Sequence, residues 1–527
     1  MPANYREVEW KYDVADDFVL PSVADLLLPA GEDEPPYDAV APSTVELDAT
    51  YFDTADHRLL HAGLTLRRRT GGSDAGWHLK VPVADGERDE IRAALGRSER
   101  TVPLRLRRLV WIYTRDTALA PVLQLRTVRT TSLVRQNGTV LAEIADDRVV
   151  AERVAPSDGD ADAVVGPQQW REIEVELVDG GRKVLKRVDK GLRRSGATRS
   201  KTASKLARGL GHRRPGKAQA RAEAGPGSGK LSASSPAGQV VVAYLAAELD
   251  HLSGQDLAVR LDRPDSIHQM RVATRRLRSV LETFEPLVEP GVTQPLEAEL
   301  KWLADELGQA RDAEVMRARV ADDVAAEREH HRVTTAVARR IDRELARAEK
   351  AAFAEVVAAL DSARYQQLVV ALDELVTAPP LTERAARPAR KELCKPVRAA
   401  ARRVDRALAA ASALEGDDDA HNIALHEVRK KAKRARYAGE ALVPAFRAPA
   451  LAFATAMERL QDLLGEHHDT VVLQQRLEEL TRAGEPATAF TLGRLHAAEG
   501  RRQVELEDEI AAAAKAATKK SLRAWLG

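Results

Sequence analysis

The alternation of polar and apolar residues divides the chain near residue 210. Before that point, short segments alternate with a period of two between turn-forming residues, which predicts half-buried β-strands. These segments cover residues 6–12, 45–52, 64–69, 76–81, 131–135, 140–144 and 171–177. From Val240 onward, Ala, Leu, Glu and Arg recur at helical period, and Pro and Gly lie mostly at breaks. Strands followed by helices, without interleaving, predict an α+β protein with two separate domains.

The segment between the two halves has the composition of a linker. Residues 211–237 are rich in Gly, Pro, Ser, Ala and Lys, as in Gly225-Pro226-Gly227-Ser228-Gly229-Lys230. Such a composition favours a flexible chain. We therefore expect a strand-rich domain at 1–210, a flexible linker at 211–237 and a helical domain at 238–527.

Composition excludes some classes of protein. The 527 residues include 81 basic and 80 acidic side chains, so the net charge of +1 gives no global attraction to nucleic acid or membrane. A single cysteine, Cys394, excludes an internal disulfide and suits a reducing compartment. The first residues lack the apolar segment of a signal peptide, and no apolar run approaches the roughly 20 residues that span a bilayer. We expect a cytoplasmic protein without a membrane partner.

Charged residues share faces of the predicted strands in the N-terminal half. Glu7, Glu9 and Lys11 project from one face of a strand, since successive side chains alternate. The same holds for three further groups, namely Glu172, Glu174 and Glu176; Arg67 and Arg69; and His78 and Lys80. Such faces suit a closed barrel in which carboxylates hold a divalent metal and Arg or Lys binds phosphate oxygens. The alternative is the solvated outer face of an ordinary sheet.

The motifs in this half, taken in order, resemble those of the CYTH domain, the triphosphate tunnel metalloenzymes. They are Glu7-Val8-Glu9-Trp10-Lys11, Tyr51-Phe52-Asp53-Thr54, Leu66-Arg67-Arg68-Arg69, Trp77-His78-Leu79-Lys80, Glu172-Ile173-Glu174-Val175-Glu176-Leu177 and Ser200-Lys201. The resemblance implies an eight-stranded antiparallel β tunnel. It also implies that this tunnel binds a triphosphate and hydrolyses or rearranges it with Mg²⁺ or Mn²⁺.

The resemblance also implies roles for individual residues. The implied metal ligands are Glu7, Glu9, Asp146, Glu172, Glu174 and Glu176, and the implied catalytic residues are Glu7, Glu9, Lys11, Glu174 and Glu176. The implied triphosphate-binding residues are Lys11, Arg67, Arg69, Lys80, Arg126, Arg129 and Lys201. Glu143 and Asp146 lie in opposite phase on an ideal strand, so at most one faces inward unless a bulge intervenes. Arg126 and Arg129 raise the same question, and Lys190 and Lys205 are alternatives to Lys201.

A basic stripe occurs twice in the C-terminal half. His268, Arg271, Arg275 and Arg278 recur 158 residues later as His426, Arg429, Lys433 and Arg436. Two Leu-Gly-x-x-x-Asp segments, ending at Asp312 and Asp469, recur at an offset of 157, and these carboxylates are expected to hold Arg side chains. The stripe is displaced by about 100° from the apolar face of its helix, so it borders a groove between helices. The alternative is a solvated basic face, but duplication favours a functional surface that follows a chain of phosphates.

These segments resemble the CHAD domain over roughly residues 238–527. The resemblance implies two antiparallel four-helix bundles, with repeats at about 238–375 and 385–527, related by a pseudo-twofold axis around a basic groove. It implies that the groove binds inorganic polyphosphate through His268, Arg271, Arg275, Arg276, Arg278, His426, Arg429, Lys430, Lys433, Arg434 and Arg436.

The function expected from the sequence is a metal-dependent inorganic triphosphatase whose helical domain binds polyphosphate. The expected partners are inorganic tripolyphosphate and long-chain polyphosphate, and association with polyphosphate granules is consistent with them. One alternative is a polyphosphate-binding protein without catalysis. Another is a tunnel enzyme acting on an organic triphosphate such as thiamine triphosphate or ATP. Nucleic-acid binding ranks last, because the basic helices lack interleaved aromatic residues and the net charge is near zero.

Overall fold

The computed structural model describes two compact units, Met1–Glu223 and Ala224–Gly527. The described residues are 5–27, 37–38, 40–84, 86–154, 166–202, 204–211, 230–329, 335–414, 418–483 and 486–527. Most of the predicted linker lies outside the described residues. Within the described part of the chain, no helix is long and apolar enough to cross a membrane.

The first unit is a closed antiparallel β-barrel. Its strands are β1 (Tyr5–Val14), β2 (Ser43–Asp53), β3 (Thr65–Thr70), β4 (Gly76–Ala84), β5 (Glu87–Ala93), β6 (Ala120–Gln136), β7 (Thr139–Arg153), β8 (Gln168–Leu177) and the short β9 (Thr198–Arg199). Pairing runs in the order β5-β4-β3-β2-β6-β7-β8-β1, and β1 also pairs with β5, which closes a ring of eight strands. This ring confirms the predicted eight-stranded antiparallel tunnel.

The barrel carries apolar side chains on part of its outer face, where a helix covers them. The helices of this unit are α1 (Val23–Leu26), α2 (Arg58–His61), α3 (Leu104–Thr114), α4 (Arg182–Arg194) and α5 (Lys205–Gly209). Ile144, Ile173 and Val175 pack against Val188 and Leu192 of α4 in one buried cluster. Each fully buried aliphatic side chain contributes about 1.5–3 kcal/mol to stability. Because Ile144, Ile173 and Val175 turn outward, the residues that alternate with them in β7 and β8 face the lumen.

The second unit is helical and contains two halves in sequence. The first half comprises α6 (Ala237–Arg260), α7 (Ser266–Phe284), α8 (Thr293–Glu329), α9 (Thr335–Leu360) and α10 (Ala363–Thr377). The second half comprises α11 (Ala389–Ser412), α12 (Asp418–Glu440), the short α13 (Val443–Phe446), α14 (Ala448–Ala483) and α15 (Pro486–Ala517). Among the described residues, 3₁₀ helices lie at Glu285–Leu287, Glu383–Ala386 and Lys520–Leu526.

The two halves meet through reciprocal contacts at the starts of α6 and α11. The Ala237 amide donates to the Arg387 carbonyl at 2.8 Å, and the Ala389 amide donates to the Ser235 carbonyl at 2.8 Å. Both helices contain 24 residues, and both begin after a proline. The exchange is what a duplicated unit with twofold pseudosymmetry produces at its axis. Ala233, Ser235 and Pro236 make backbone contacts at this junction, in a part of the chain that the sequence assigned to the linker.

Candidate functional site

The barrel lumen collects the carboxylates predicted from β1 and β8. Glu9 lies opposite Glu176 and Lys11 lies opposite Glu174, so the two strands direct these side chains to one side of the sheet. Lys11 Nζ donates to Glu174 Oε1 at 2.6 Å and lies 3.3 Å from Glu9 Oε1. Burial alone would raise the pKa of Glu9, but the charges of Lys11 and Lys80 hold it at about 2. Burial and the charge of Glu7 raise the pKa of Glu176 to about 8.

A buried group of three carboxylates marks the candidate metal position. Asp147, Glu172 and Glu174 each offer a carboxylate oxygen, and these atoms lie within 4.8 Å of one another. Lys205 Nζ lies among them, at 2.9 Å from Asp147, 2.8 Å from Glu172 and 2.6 Å from Glu174. Three buried carboxylates need a compensating positive charge, which the ammonium group supplies here. A donor set made of carboxylate oxygens fits Mg²⁺ or Mn²⁺, which prefer oxygen ligands.

Asp146, a predicted metal ligand, requires a correction. Its carboxylate accepts two hydrogen bonds from Arg171, at 2.8 and 2.6 Å. Asp146 pairs across the sheet with Ile173, on the face that α4 covers, whereas Asp147 pairs with Glu172 and is fully buried. The strand phase therefore turns Asp147, and not Asp146, into the lumen. Glu143 shares the inward phase and lies opposite Glu176.

Four of the predicted phosphate-binding cations face the lumen alongside Lys11. They are Arg67, Arg69, Lys80 and Arg129. Arg129 donates to both oxygens of Asp147, at 2.8 and 2.7 Å, and to Glu174 at 2.6 Å. Arg69, which contacts Asp74, is buried near two further cations. Burial, with the charges of Arg67 and Arg129, lowers the pKa of Arg69 to about 9. Cations held this close together repel one another, so the binding of an anion between them is favourable.

Two predicted phosphate ligands lie outside the lumen, and the structure corrects them. The side chain of Arg126 is 75% exposed and lies 3.9 Å from Asp48, because Arg126 and Arg129 have opposite phases on β6. Lys201 is exposed, whereas Lys205 is buried at the start of α5, where the Ser204 hydroxyl caps the helix. Of the alternatives left open by the sequence, Lys190 is exposed on α4 and Lys205 enters the lumen.

Strand β5 supplies lumen residues that the sequence analysis missed. Glu90 is buried, lies opposite Lys80 and accepts a hydrogen bond from His78 Nδ1 at 2.8 Å. It lies 4.0 Å from Arg67 and 3.9 Å from Lys80, so it helps to position both cations. Arg88, Glu90 and Arg92 are spaced at i, i+2 and i+4, the same signal that was used for Glu7, Glu9 and Lys11.

All eleven residues of the predicted basic stripe line one groove in the helical unit. The groove has a volume of about 1020 Å³ and lies mainly along α7 and α12, with further lining from α8 and α14. Other lining residues, not predicted, include Lys301, Arg311, Arg319 and His468. The rings of His426 and His468 lie 4.3 Å apart. Burial and the neighbouring His426 lower the pKa of His468 to about 4, so these rings are neutral at physiological pH.

The Leu-Gly-x-x-x-Asp segments position one arginine in each half. A Cβ on Gly308 would lie 3.2 Å from the Arg271 guanidinium, and a Cβ on Gly465 would lie 3.2 Å from that of Arg429. Arg271 Nη1 lies 3.3 Å from Asp312, as expected from the sequence. The two halves thus repeat the same arrangement, in which a missing side chain leaves room for an arginine to extend along the neighbouring helix.

The centre of the groove holds cations without counter-ions. At the edges, Arg276, Arg434 and Arg436 each lie within 3.0 Å of a glutamate. Among the described residues, Arg275, Arg429 and Lys433 have no acidic group within the 4.0 Å of an ion pair. Burial and the charges of Arg275 and Arg429 lower the pKa of Lys433 to about 6, and burial with Arg271 lowers that of Arg275 to about 10.

Comparison with known proteins identifies both units. Residues 26–210 match the CYTH domain family and residues 243–478 match the CHAD domain family. An uncharacterized protein of Mycobacterium tuberculosis strain H37Rv is 35% identical over 531 residues, which cover 97% of this chain and 96% of that protein. An uncharacterized protein of strain CDC 1551 matches with the same identity and coverage. The solved CHAD domain of the plant Ricinus communis is 27% identical over 54% of this chain and 93% of its own, with a TM-score of 0.44.

Proposed function

Because the chain belongs to the family of its mycobacterial relatives and carries a CYTH domain followed by a CHAD domain, we propose that it is a metal-dependent inorganic triphosphatase whose helical domain binds inorganic polyphosphate. The CYTH family includes triphosphatases and adenylyl cyclases, and its tunnel enzymes depend on metals. The observation that carries the proposal is the pairing, in one buried lumen, of the Asp147–Glu172–Glu174 cluster with crowded cations.

The lumen offers separate surfaces for a metal and for phosphate. Asp147, Glu172 and Glu174 would hold Mg²⁺ or Mn²⁺. Glu9 lies near this cluster, because Lys11 contacts both Glu9 and Glu174. A bound ion would neutralise charge on the phosphate oxygens as a Lewis acid. Lys205 then no longer needs to neutralise the three carboxylates, and its ammonium group becomes available to a phosphate oxygen.

The cations of the lumen would orient the substrate. Arg67, Arg69 and Lys80 stand on adjacent strands β3 and β4, so together they can bind successive phosphates of an unbranched chain. Charge-assisted hydrogen bonds from buried donors stabilise negative charge more strongly than solvent-exposed ones. Positioning and charge neutralisation are the main requirements of phosphoryl transfer, and the lumen needs no covalent nucleophile for it.

The direct test is phosphate release from tripolyphosphate. We expect the full-length protein to release inorganic phosphate in the presence of Mg²⁺ or Mn²⁺ and to lose this activity when a chelator removes the metal. ATP and thiamine triphosphate serve as matched organic substrates, and tripolyphosphate should give the higher kcat/KM. Equal or greater turnover of an organic triphosphate would contradict the inorganic assignment, and no turnover of any triphosphate would contradict catalysis.

The unneutralised centre of the helical groove supports binding of an extended polyanion. Arg275, Arg429 and Lys433 are half-buried beside Arg271 and Arg436, and this arrangement is unfavourable until a negative ligand is bound. A linear phosphate chain can contact the equivalent cations of both halves at once. The neutralised edge residues would confine the chain to the centre of the groove.

Polyphosphate affinity should decrease as the pH rises above about 6. The pKa of Lys433 is about 6 in the free protein, and a bound polyanion raises it. At a pH between the free and the bound pKa, binding is therefore coupled to the uptake of one proton by Lys433. One linked proton changes affinity by at most about tenfold per pH unit. The variant Lys433→Arg keeps its charge throughout and should bind with little pH dependence. Calorimetry between about pH 6.5 and 8.5 measures both proteins, and both keep His268 and His426, so any proton that these histidines take up is common to the two. Equal pH slopes would contradict the role of Lys433.

A further inference from the structure

A second basic groove runs along α11, outside the central groove. Seven of the 24 residues of this helix are Lys or Arg. They line a groove of about 890 Å³ that also includes Leu526 of the final 3₁₀ helix. None of the residues that line it contributes to the central groove. The groove was not anticipated from the sequence, because α11 does not belong to the duplicated stripe.

The duplication of the fold does not require this charge. Helix α6 is the counterpart of α11, as their reciprocal hydrogen bonds and equal lengths show. It carries a single Lys or Arg residue, Arg260, which is paired with Asp256 at 2.8 Å. A helix in the same structural position can therefore fold and pack without a basic face. The positive charge of α11 requires another explanation.

The acidic residues of α11 do not neutralise its basic face. Glu392 pairs with Arg384 at 2.7 Å and with Arg387 at 3.4 Å, both of which precede the helix. Asp405 binds Arg523 through two hydrogen bonds, at 2.6 and 2.8 Å. Among the described residues, no ion pair forms at six groove cations, namely Lys391, Lys395, Arg398, Arg402, Arg403 and Arg406. Arg398 donates to the Leu526 carbonyl, and the other five are exposed.

The geometry of the groove favours a linear chain of phosphates. From Lys391 to Arg406 the helix rises about 22 Å, with cations roughly one turn apart. No aromatic residue in the described part of the chain lines this groove, and the nearby Trp525 ring packs on Phe446 at 5.2 Å while its N–H donates to the Leu522 carbonyl. The apolar lining residues are Cys394 and Leu526, which are buried, and Ala399, so the exposed apolar side chains of a membrane-binding helix are missing from this groove.

We propose that the α11 groove is a second binding site for inorganic polyphosphate, separate from the central groove. The proposal rests on the polyphosphate binding proposed for the helical domain. A long chain can occupy both sites of one molecule, and linked sites raise the overall affinity without any new contact. Short chains that fill only the central groove gain nothing from α11, so the second site makes binding depend on chain length.

Charge reversal on α11 tests the proposal in the full-length protein. The variant Lys395→Glu/Arg402→Glu/Arg406→Glu should weaken binding of long-chain polyphosphate about tenfold. Because three phosphate contacts are lost, the slope of the logarithm of the binding constant against the logarithm of the salt concentration should become shallower by about two. Binding of tripolyphosphate should not change. The control Arg343→Glu/Arg347→Glu/Lys350→Glu makes the same charge change at exposed positions of α9. Fluorescence anisotropy with end-labelled polyphosphate measures all three proteins.

The possible outcomes separate this site from the proposed function. If the wild-type protein binds polyphosphate and the α11 variant matches the α9 control, the second site is wrong and polyphosphate binding by the helical domain stands. If the wild-type protein does not bind polyphosphate, both proposals fail. Poly-uridine and phosphatidylserine vesicles serve as competing ligands. Loss of their binding on α11 reversal, without loss of polyphosphate binding, would overturn the assignment of the ligand.

Discussion

Replacing Asp147 with Asn is expected to lower the kcat for tripolyphosphate hydrolysis at least about a hundredfold. Asp147 is fully buried and belongs to the carboxylate cluster with Glu172 and Glu174. Lewis-acid stabilisation by a metal amounts to several kcal/mol, and each 1.36 kcal/mol changes a rate about tenfold. Substrate affinity should not fall, because the substitution removes a negative charge from an anion site. The expected signature is therefore a lower kcat with an unchanged or lower KM.

The neighbouring residue provides a matched control for this experiment. Asp146→Asn makes the same chemical change one residue away, on the outer face, where it breaks the ion pair with Arg171. It should reduce thermal stability and leave kcat near the wild-type value. Titration with Mn²⁺, followed by the paramagnetic resonance of the free ion, tests the metal role independently of turnover. Equal Mn²⁺ binding by both variants would rule out Asp147 as a metal ligand.

The alternation of residues along β1, β3, β4 and β8 predicted which charged side chains share a face, and the resemblance placed those faces inside a tunnel. Glu7, Glu9 and Lys11 share one face, where Glu9 and Lys11 lie opposite Glu176 and Glu174 of β8. The phase of β7 was also available in the sequence. Ile144 belongs to the apolar face, and Asp146 lies two residues further on the same face. Ile144 packs against α4, so Asp146 faces outward with it and the adjacent Asp147 faces inward.

Other features of the lumen depend on tertiary structure. Lys201 and Lys205 lie in a segment with little alternation, and only the capped start of α5 turns Lys205 inward. The role of Glu90 as a partner of His78, Lys80 and Arg67 depends on the pairing of β5 with β4 and of β4 with β3, which no local pattern encodes. Local periodicity predicts which side chains share a face, whereas strand pairing decides which faces meet.

In the helical domain, the repeated spacing predicted the lining of the groove but not its charge balance. The sequence placed Arg275 and Arg276 side by side as equivalent cations. In the structure, Arg276 pairs with Glu440, and although burial lowers its pKa, the charges of Glu440 and Glu248 raise it overall, whereas the pKa of Arg275 is lowered to about 10. These glutamates come from two other helices, α6 and α12. Which cations stay available for a ligand is therefore a property of the packing.

The double substitution Arg271→Glu/Arg429→Glu is expected to weaken polyphosphate binding at least about a thousandfold. Each arginine lines the groove in its own half, and a charge-assisted hydrogen bond contributes about 1.5–3 kcal/mol. Reversal adds repulsion between the new carboxylates and the ligand, in addition to the loss of two contacts. Isothermal titration with long-chain polyphosphate measures the change. The variant Arg343→Glu/Arg347→Glu controls for net charge, and equal affinities of the two variants would contradict a central role for these arginines.

The paired glycines allow the same prediction to be tested without changing charge. Gly308 and Gly465 lie inside long helices, where Ala would be more stable by about 1 kcal/mol each. A Cβ at either position would come within 3.2 Å of an arginine guanidinium that must extend into the groove. Gly308→Ala/Gly465→Ala should therefore raise the melting temperature and weaken polyphosphate binding several-fold. Stability and affinity that rise together would show that the arginines reach the ligand without the space that glycine provides.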